Sequence, residues 1–267
     1  MFRCDHPVAW AYHRNTSRWP FNMHGMNEPT RETPAFKEDF DAACVDLEPP
    51  HLPDIGLASA LAQRSSCRRF APTPIERAEL GTMLHAGYGV LERAELWGEF
   101  CVRPVPSGGG LYPLELYVLA QRVQNMEGGV YHYVPLGHRL EVVRPDALPA
   151  HLSSEMFLGQ PYLVQAAAIV VITAVVERSL WKYDDRGYRY IVLEAGHVAQ
   201  NINLCAAGLG LATLNLGGFF DEDMTALLKL DADHEIVLYG IALGHSEVAD
   251  RLEARRPTQA DQAVRRF

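Results

Sequence analysis

The chain has 267 residues, of which 48% are hydrophobic and 21% charged, and its formal net charge is −9. That length buries a core without staples, and the balance is that of an ordinary globular protein. The negative charge argues against nucleic acid as a partner, because neutralising a run of phosphates needs a basic face.

The five cysteines, Cys4, Cys44, Cys67, Cys101 and Cys205, are scattered and odd in number, with no Cys-x-x-Cys pair. This argues against a disulfide framework and a zinc site, and for a reduced, cytoplasmic setting. No secretory signal is visible at the N-terminus. The longest apolar run, Ala166 to Val176, is interrupted by Thr173 and is too short to span a bilayer.

In chain order, residues 1–55 read as an irregular arm, rich in proline (Pro7, Pro20, Pro29, Pro34, Pro49, Pro50, Pro53) and poor in periodic apolar positions. Residues 56–267 read as the folded domain. A short helix is expected over Leu57 to Arg64. A stronger one is expected from Pro74 to Tyr88, with Thr73 and Glu76 as a capping box and Pro74 at the first helical position. Strands are expected at Leu114–Leu119, Gly129–Val134 and Leu140–Val143, with a buried β-branched strand at Ala166–Val175. The longest helix should run from Tyr188 to Gly208. Further strands are expected at Leu211–Leu216 and Glu235–Leu243, with a helix between them capped by Asp221 and ending at Leu228. Helices and strands mix without strict βαβ alternation, so the class is α+β.

Several clusters carry candidate chemistry. Arg64-Ser65-Ser66-Cys67-Arg68-Arg69-Phe70 gathers guanidinium groups and hydroxyls that can fork onto a phosphate, although a solvated basic turn has the same composition. Arg103-Pro104-Val105-Pro106-Ser107-Gly108-Gly109-Gly110-Leu111-Tyr112-Pro113 is a glycine loop bracketed by prolines, able to approach a flat ligand closely. It is not a phosphate-binding P-loop, because no Gly-Lys-Ser/Thr follows. Asn215-Leu216-Gly217-Gly218-Phe219 sits at a strand end, where a backbone N–H can face a ligand or simply turn the chain. Lys182 and Tyr183 lie side by side just before the long helix, an acid–base pair if desolvated and an exposed loop otherwise. Glu194 and His197 fall on one helix face without a third ligand, so a polar contact inside the core is expected and no metal site. Arg251, Arg255 and Arg256 form a basic tail that either stays solvated or returns to the phosphate.

Taken in order, Arg-x-Ser-x-Arg-x-Phe, Pro-Ser-Gly-Gly-Gly-Leu-Tyr-Pro, Lys-Tyr-x-x-Arg-Gly-Tyr-Arg, Glu-Ala-Gly-His-Val-Ala-Gln-Asn and Gly-Gly-Phe resemble the SagB/ThcOx-type azoline dehydrogenases. These belong with the microcin synthetase dehydrogenases in the nitroreductase superfamily. The similarity covers roughly residues 57–245, and Ala11 to Thr16 is similar to that family's N-terminal arm. The resemblance implies a nitroreductase-like α+β fold, a mixed or antiparallel sheet flanked by helices, and a homodimer holding flavin mononucleotide (FMN) at its interface. It assigns the FMN phosphate and ribityl chain to Arg64, Ser65, Ser66 and Arg68, with Arg255 and Arg256 completing the phosphate site. It assigns the flavin ring to Pro106, Ser107, Gly108, Gly109, Leu216, Gly217 and Gly218.

The family's Lys-Tyr pair maps to Lys182 and Tyr183. The implied reaction oxidises a thiazoline or oxazoline of a peptide to the azole. A Cα proton passes to Tyr183 or Lys182, a hydride passes to FMN, and oxygen reoxidises the flavin. Asp184 and Asp185 depart from many relatives and bear on whether Lys182 is free to act as a base. The implied partners are a cyclodehydratase complex and a precursor peptide. Two rival functions remain open: an NAD(P)H-dependent nitro or quinone reductase, and a non-catalytic scaffold subunit.

Overall fold

The computed structural model describes residues 2–17, 34–39, 41–95, 99–249 and 251–256. Residues 18–33, which include Pro20 and Pro29 of the expected irregular arm, lie outside the described residues. The rest of that arm is not wholly irregular. Two short helices, α1 (Phe2–Asp5) and α2 (Pro7–Asn15), precede a strand, β1 (Cys44–Asp46).

Next come α3 (Leu57–Gln63) and α4 (Arg77–Tyr88), and then a hairpin of β2 (Glu92–Glu95) and β3 (Glu99–Val102). After a 3-10 turn at Gly108–Gly110 follow β4 (Leu114–Ala120), β5 (Gly129–Val134) and β6 (Arg139–Arg144). The second half contains α5 (Ala150–Met156), β7 (Ala168–Val175), α6 (Glu177–Tyr183), α7 (Arg186–Gly208), β8 (Ala212–Leu216), α8 (Asp221–Leu227), β9 (Glu235–Gly244) and α9 (Arg251–Ala254).

Three helix starts differ from expectation, the simplest at α7, which begins at Arg186 instead of Tyr188. Helix α4 begins at Arg77, with Glu76 as its N-cap, and Glu79 accepts the Glu76 N–H at 2.8 Å. The capping box is therefore Glu76/Glu79, one frame later than Thr73/Glu76. Ile75 explains the shift: it is fully buried and bridges Val123, with its carbonyl accepting from Gln124 N, which holds it outside the helix. At α8 the cap is Phe220, in extended conformation, and Asp221 is the first helical residue instead. There its carboxylate still faces the positive end of the helix.

The main sheet has the order β1-β6-β5-β4-β7-β9-β8, with every neighbouring pair antiparallel. It is covered on both faces, which is why all seven positions of β4 are buried. Leu114, Leu116, Val118 and Ala120 pack against Leu80, Met83 and Leu84 of α4 and Ile191, Val198 and Ile202 of α7. Each such buried side chain contributes about 1.5–3 kcal/mol relative to exposure. On the other face, Tyr117 and Leu119 meet Phe157, Leu163 and Met224.

One end of that second face is polar. Glu115, His132, Glu141, Thr173 and Glu235 are all buried there, together with Arg178 of α6. Residues 34–39 close over them. Lys37 Nζ reaches Glu235 Oε2 at 2.5 Å, Asp39 N donates to Glu141 at 3.0 Å, and Arg178 Nε donates to the Pro34 carbonyl at 2.8 Å. Among the described residues no helix is long and apolar enough to cross a membrane, and no group of His, Cys, Asp and Glu could hold a metal ion.

Candidate active site

The first arginine cluster leaves α3 and runs beside β8. Ser66 bridges Thr213 in parallel, and Cys67 N donates to the Thr213 carbonyl at 2.8 Å. Here the chain opens a cavity of about 430 Å³ lined by Arg64, Ser65, Asn203, Thr213, His245 and Ser246, among others. Buried Asn203 has an Oδ1 with no hydrogen-bond partner among the described residues. A cation, a hydroxyl and an unsatisfied buried acceptor in one cavity suit a polyhydroxylated phosphate ester.

The C-terminal segment is laced to the same place. Arg68 N donates to the Ala254 carbonyl at 2.7 Å, and Arg68 Nη1 to the Arg255 carbonyl at 3.1 Å. Arg255 and Arg256 thus sit beside the cluster with exposed side chains. Arg69 is committed elsewhere, to Glu247 at 3.2 Å and Glu253 at 2.5 Å. His245 and Ser246 were not singled out by the sequence, because they follow β9 as an ordinary polar pair.

A second group forms around the glycine loop. Gly109 has φ +68°, a left-handed conformation that favours glycine. A Cβ there would fall 2.5 Å from Tyr183 Oη and 2.9 Å from Lys182 Nζ, and one on Gly108 would fall 3.2 Å from the Tyr190 ring. The loop and the Lys–Tyr pair are therefore one constellation, as neither segment shows alone. Lys182 and Tyr183 end a helix, α6, and are half-buried, so the exposed-loop alternative does not hold. Lys182 Nζ lies 5.6 Å from the Tyr183 ring centre, and Tyr190 meets Tyr183 edge-on at 5.0 Å. Burial, helped by Tyr190, pushes the Tyr183 phenol above its ordinary value, so it keeps its proton at neutral pH. Pro106 is exposed, and Ser107 Oγ accepts the Tyr112 N–H at 2.9 Å.

The third segment, Leu216-Gly217-Gly218, ends β8. Leu216 is buried opposite Gly240, while Gly217 is exposed, and a Cβ on it would meet only Tyr239, at 3.6 Å. Its backbone is open to a ligand.

Glu194 and His197 do not form a contact inside the core. His197 is exposed, whereas Glu194 is buried and accepts a hydrogen bond from Tyr88 Oη at 2.8 Å. Burial pushes Glu194 up to about 7, against hydrogen bonds from Ser107 and Tyr88 and the positive charge of Arg103. A helix cannot satisfy a buried carboxyl with a side chain that its own periodicity turns outward.

Together these segments present groups able to bind an anion, approach a planar ring and hold a proton, on the α+β scaffold of a flavin-dependent oxidoreductase family. The nitroreductase family model matches residues 61–245, and the chain belongs to that family. A Methanocaldococcus jannaschii protein named for the nitroreductases is 36% identical over 186 residues, covering 70% of this chain and 90% of the relative. The microcin B17-processing protein McbC of Escherichia coli is 37% identical over 139 residues, covering 48% of this chain and 49% of McbC. The trifolitoxin-processing protein TfxB of Rhizobium leguminosarum is 33% identical over 249 residues, covering 84% of this chain and 67% of TfxB. Among solved structures, a nitroreductase-type protein of Anabaena variabilis superposes with a TM-score of 0.75 at 27% identity, covering 94% of this chain and 48% of that one. A chain of the E. coli microcin synthetase McbBCD complex superposes with a TM-score of 0.61 at 24% identity, covering 91% of this chain and 93% of that one.

Proposed function

We propose that this protein is an FMN-dependent dehydrogenase that oxidises an azoline ring of a peptide to the azole. The observation that carries the reading is the contact zone of Gly109, Lys182 and Tyr183, in a chain related to microcin- and trifolitoxin-processing proteins. Arg64, Ser65, Ser66 and Arg68 would hold the phosphate and ribityl chain, with Arg255 and Arg256 adding charge at the rim. Pro106, Ser107, Gly108 and Gly109 would face the ring, and Leu216, Gly217 and Gly218 would offer backbone to its edge. When bound, FMN supplies the two-electron acceptor for the substrate C–H bond.

The chain's own part is orientation and proton transfer. Tyr183 and Lys182, side by side at the glycine loop, are both placed to exchange a proton with the heterocycle, and one of them takes the Cα proton while the other hydrogen-bonds the ring. Loss of one proton and one hydride equivalent turns the azoline into the aromatic azole.

The site is shared between two copies. Asn203 at the phosphate cavity and Tyr190 at the glycine loop are both on α7, and helical rise puts them about 20 Å apart. Thr213 and Gly217, in contrast, are about 13 Å apart along β8 and its extension. One flavin can therefore follow β8 in one protomer and meet the glycine loop and Lys182–Tyr183 of another. Exposed Tyr188, Val192 and Leu193 of α7 and Leu57 and Leu61 of α3 supply an apolar surface for such a homodimer. The McbBCD complex carries a truncated precursor peptide, which supports a precursor peptide and cyclodehydratase-type partners here. All five cysteines are free, Cys4 and Cys44 exposed, which favours the reducing cytoplasm.

The test is the absorbance spectrum of the purified protein followed by anaerobic NADPH. Flavin bands that persist, with Lys182→Ala and Tyr183→Phe each losing on the order of a hundredfold or more in azoline oxidation while retaining FMN, support the proposal. Rapid bleaching by NADPH favours a reductase. A protein that takes up no FMN favours a scaffold.

A further inference from the structure

The glycine loop runs into a strained residue. Tyr112 holds φ +45°, a left-handed backbone that a bulky side chain adopts only where its surroundings enforce it. Its N–H is taken by Ser107 Oγ at 2.9 Å, its ring stacks on the Arg103 guanidinium at 5.1 Å, and its carbonyl faces Arg178 Nη1 at 3.5 Å. The next residue is tied as well. The Pro113 carbonyl accepts the Val175 N–H at 2.9 Å, at the end of β7 and just ahead of α6. Arg178 is where these ties meet the Lys–Tyr pair. It lies on α6 one turn before Lys182 and is 5% exposed. Besides Tyr112, its Nη1 reaches Glu115 Oε1 of β4 at 2.6 Å, and its Nε donates to the Pro34 carbonyl at 2.8 Å. Seven residues of α6 are too few to hold themselves in place, so such outside ties fix where the helix lies. At its far end there is no slack, because Tyr183 Oη and Lys182 Nζ would stand 2.5 Å and 2.9 Å from a Cβ on Gly109.

We propose that Arg178 is a positioning residue for the oxidation: by joining α6 to Glu115, Pro34 and the Tyr112 carbonyl, it sets the placement of Lys182 and Tyr183 against the glycine loop. The inference rests on the roles proposed above for Lys182 and Tyr183. A planar guanidinium does this where a compact ammonium does not, because its nitrogens address separate acceptors in one fixed geometry. The effect on rate is large for a small movement, since a displacement of about 1 Å in a reacting group can cost on the order of a hundredfold.

The experiment compares the full-length wild type with Arg178→Lys. Arg178→Ala would leave Glu115 short of a cation and mix stability with position, whereas the lysine keeps a positive charge beside Glu115 and removes only the fork. The expected result is a fall in kcat for azoline oxidation on the order of tenfold or more, with the peptide KM and the FMN dissociation constant within about twofold of wild type. A second readout needs no turnover. A lysine-acylating ester followed by peptide mass mapping should label Lys182 of the FMN-free protein faster in Arg178→Lys, because the amine is no longer held against Gly109. In a Lys182→Ala background the same substitution should cost much less, since a group it positions is gone. An unchanged kcat, full additivity with Lys182→Ala, or a joint loss of kcat and FMN affinity overturns the proposal, the last by making Arg178 a support of the whole fold. Azoline oxidation that survives both Lys182→Ala and Tyr183→Phe overturns the catalytic reading instead, and the acylation rates then still decide whether Arg178 places Lys182.

Discussion

Glu115 and Glu194 are both buried glutamates, at 4% and 2% exposure, yet their environments push them in opposite directions. At Glu115 the cost of burial is outweighed by Arg178 at 2.6 Å and His132 at 2.9 Å, which hold the carboxyl down to about 2. At Glu194 burial wins, because its close partners are neutral hydroxyls, and the carboxyl rises to about 7. The same cluster lifts His132 to about 9: burial opposes its charge, but Glu115 and Glu141 more than compensate. A buried acid is thus a fixed anion or a titrating group according to whether a cation or a hydroxyl sits beside it. The fixed anion lies under residues 34–39, on the face of the sheet opposite α7. The titrating one lies on α7 itself, one turn from Tyr190 at the glycine loop.

The largest test of this contrast is Arg178→Ala. Among the described residues it leaves buried Glu115 with His132 as its one cation within hydrogen-bond reach, and it should cost about 3–5 kcal/mol in urea unfolding. A loss below about 1 kcal/mol would mean that the Glu115 site is wetter than the structure indicates.

Next comes the pH dependence of stability. Glu115 is depressed, so its contribution is present above its unfolded value near 4.5 and is lost as pH falls through about 2. His132 is raised, so its contribution is present below about 6.5 and is lost as pH rises through about 9. Glu194 is raised, so its folded state is favoured below about 4.5, and that advantage, on the order of 3 kcal/mol, disappears as pH rises through about 7. Thermal unfolding of Glu194→Gln across this range should lose the neutral limb while keeping the acid limb. Loss of both limbs would couple two sites that the structure keeps apart.

The smallest effect is expected for Tyr88→Phe, about 1–2 kcal/mol, because one buried hydrogen bond is removed and Leu114 N loses its acceptor as well. Hydrogen exchange at Leu114 should quicken with it.

Much of this contrast was invisible in the sequence, for a physical reason. Strands β4, β7 and β9 and helix α7 announce themselves, because a long apolar or β-branched run buried on both faces has few other places to go. Helix α6 was missed, since its seven residues mix charges and aromatics and are held by packing on α7 instead of by propensity. Helix α5 and the β2–β3 hairpin carry equally weak local signals. Within the site, the glycine loop, the Lys–Tyr pair and the arginine cluster could be singled out by residue type. The joining of Gly109 to Lys182 and Tyr183 could not, because it depends on where α6 is laid down. Nor could the partner of Glu194: local spacing pointed to His197, three residues away, and the fold supplied Tyr88, 106 residues away.

Residues 34–39 lie wholly upstream of the matched family region, yet they carry the cation and the backbone donor that neutralise Glu235 and Glu141. A gene fragment trimmed to residues 61–245 would therefore strip two buried carboxylates, Glu235 and Glu141, of these partners at the end of its own sheet.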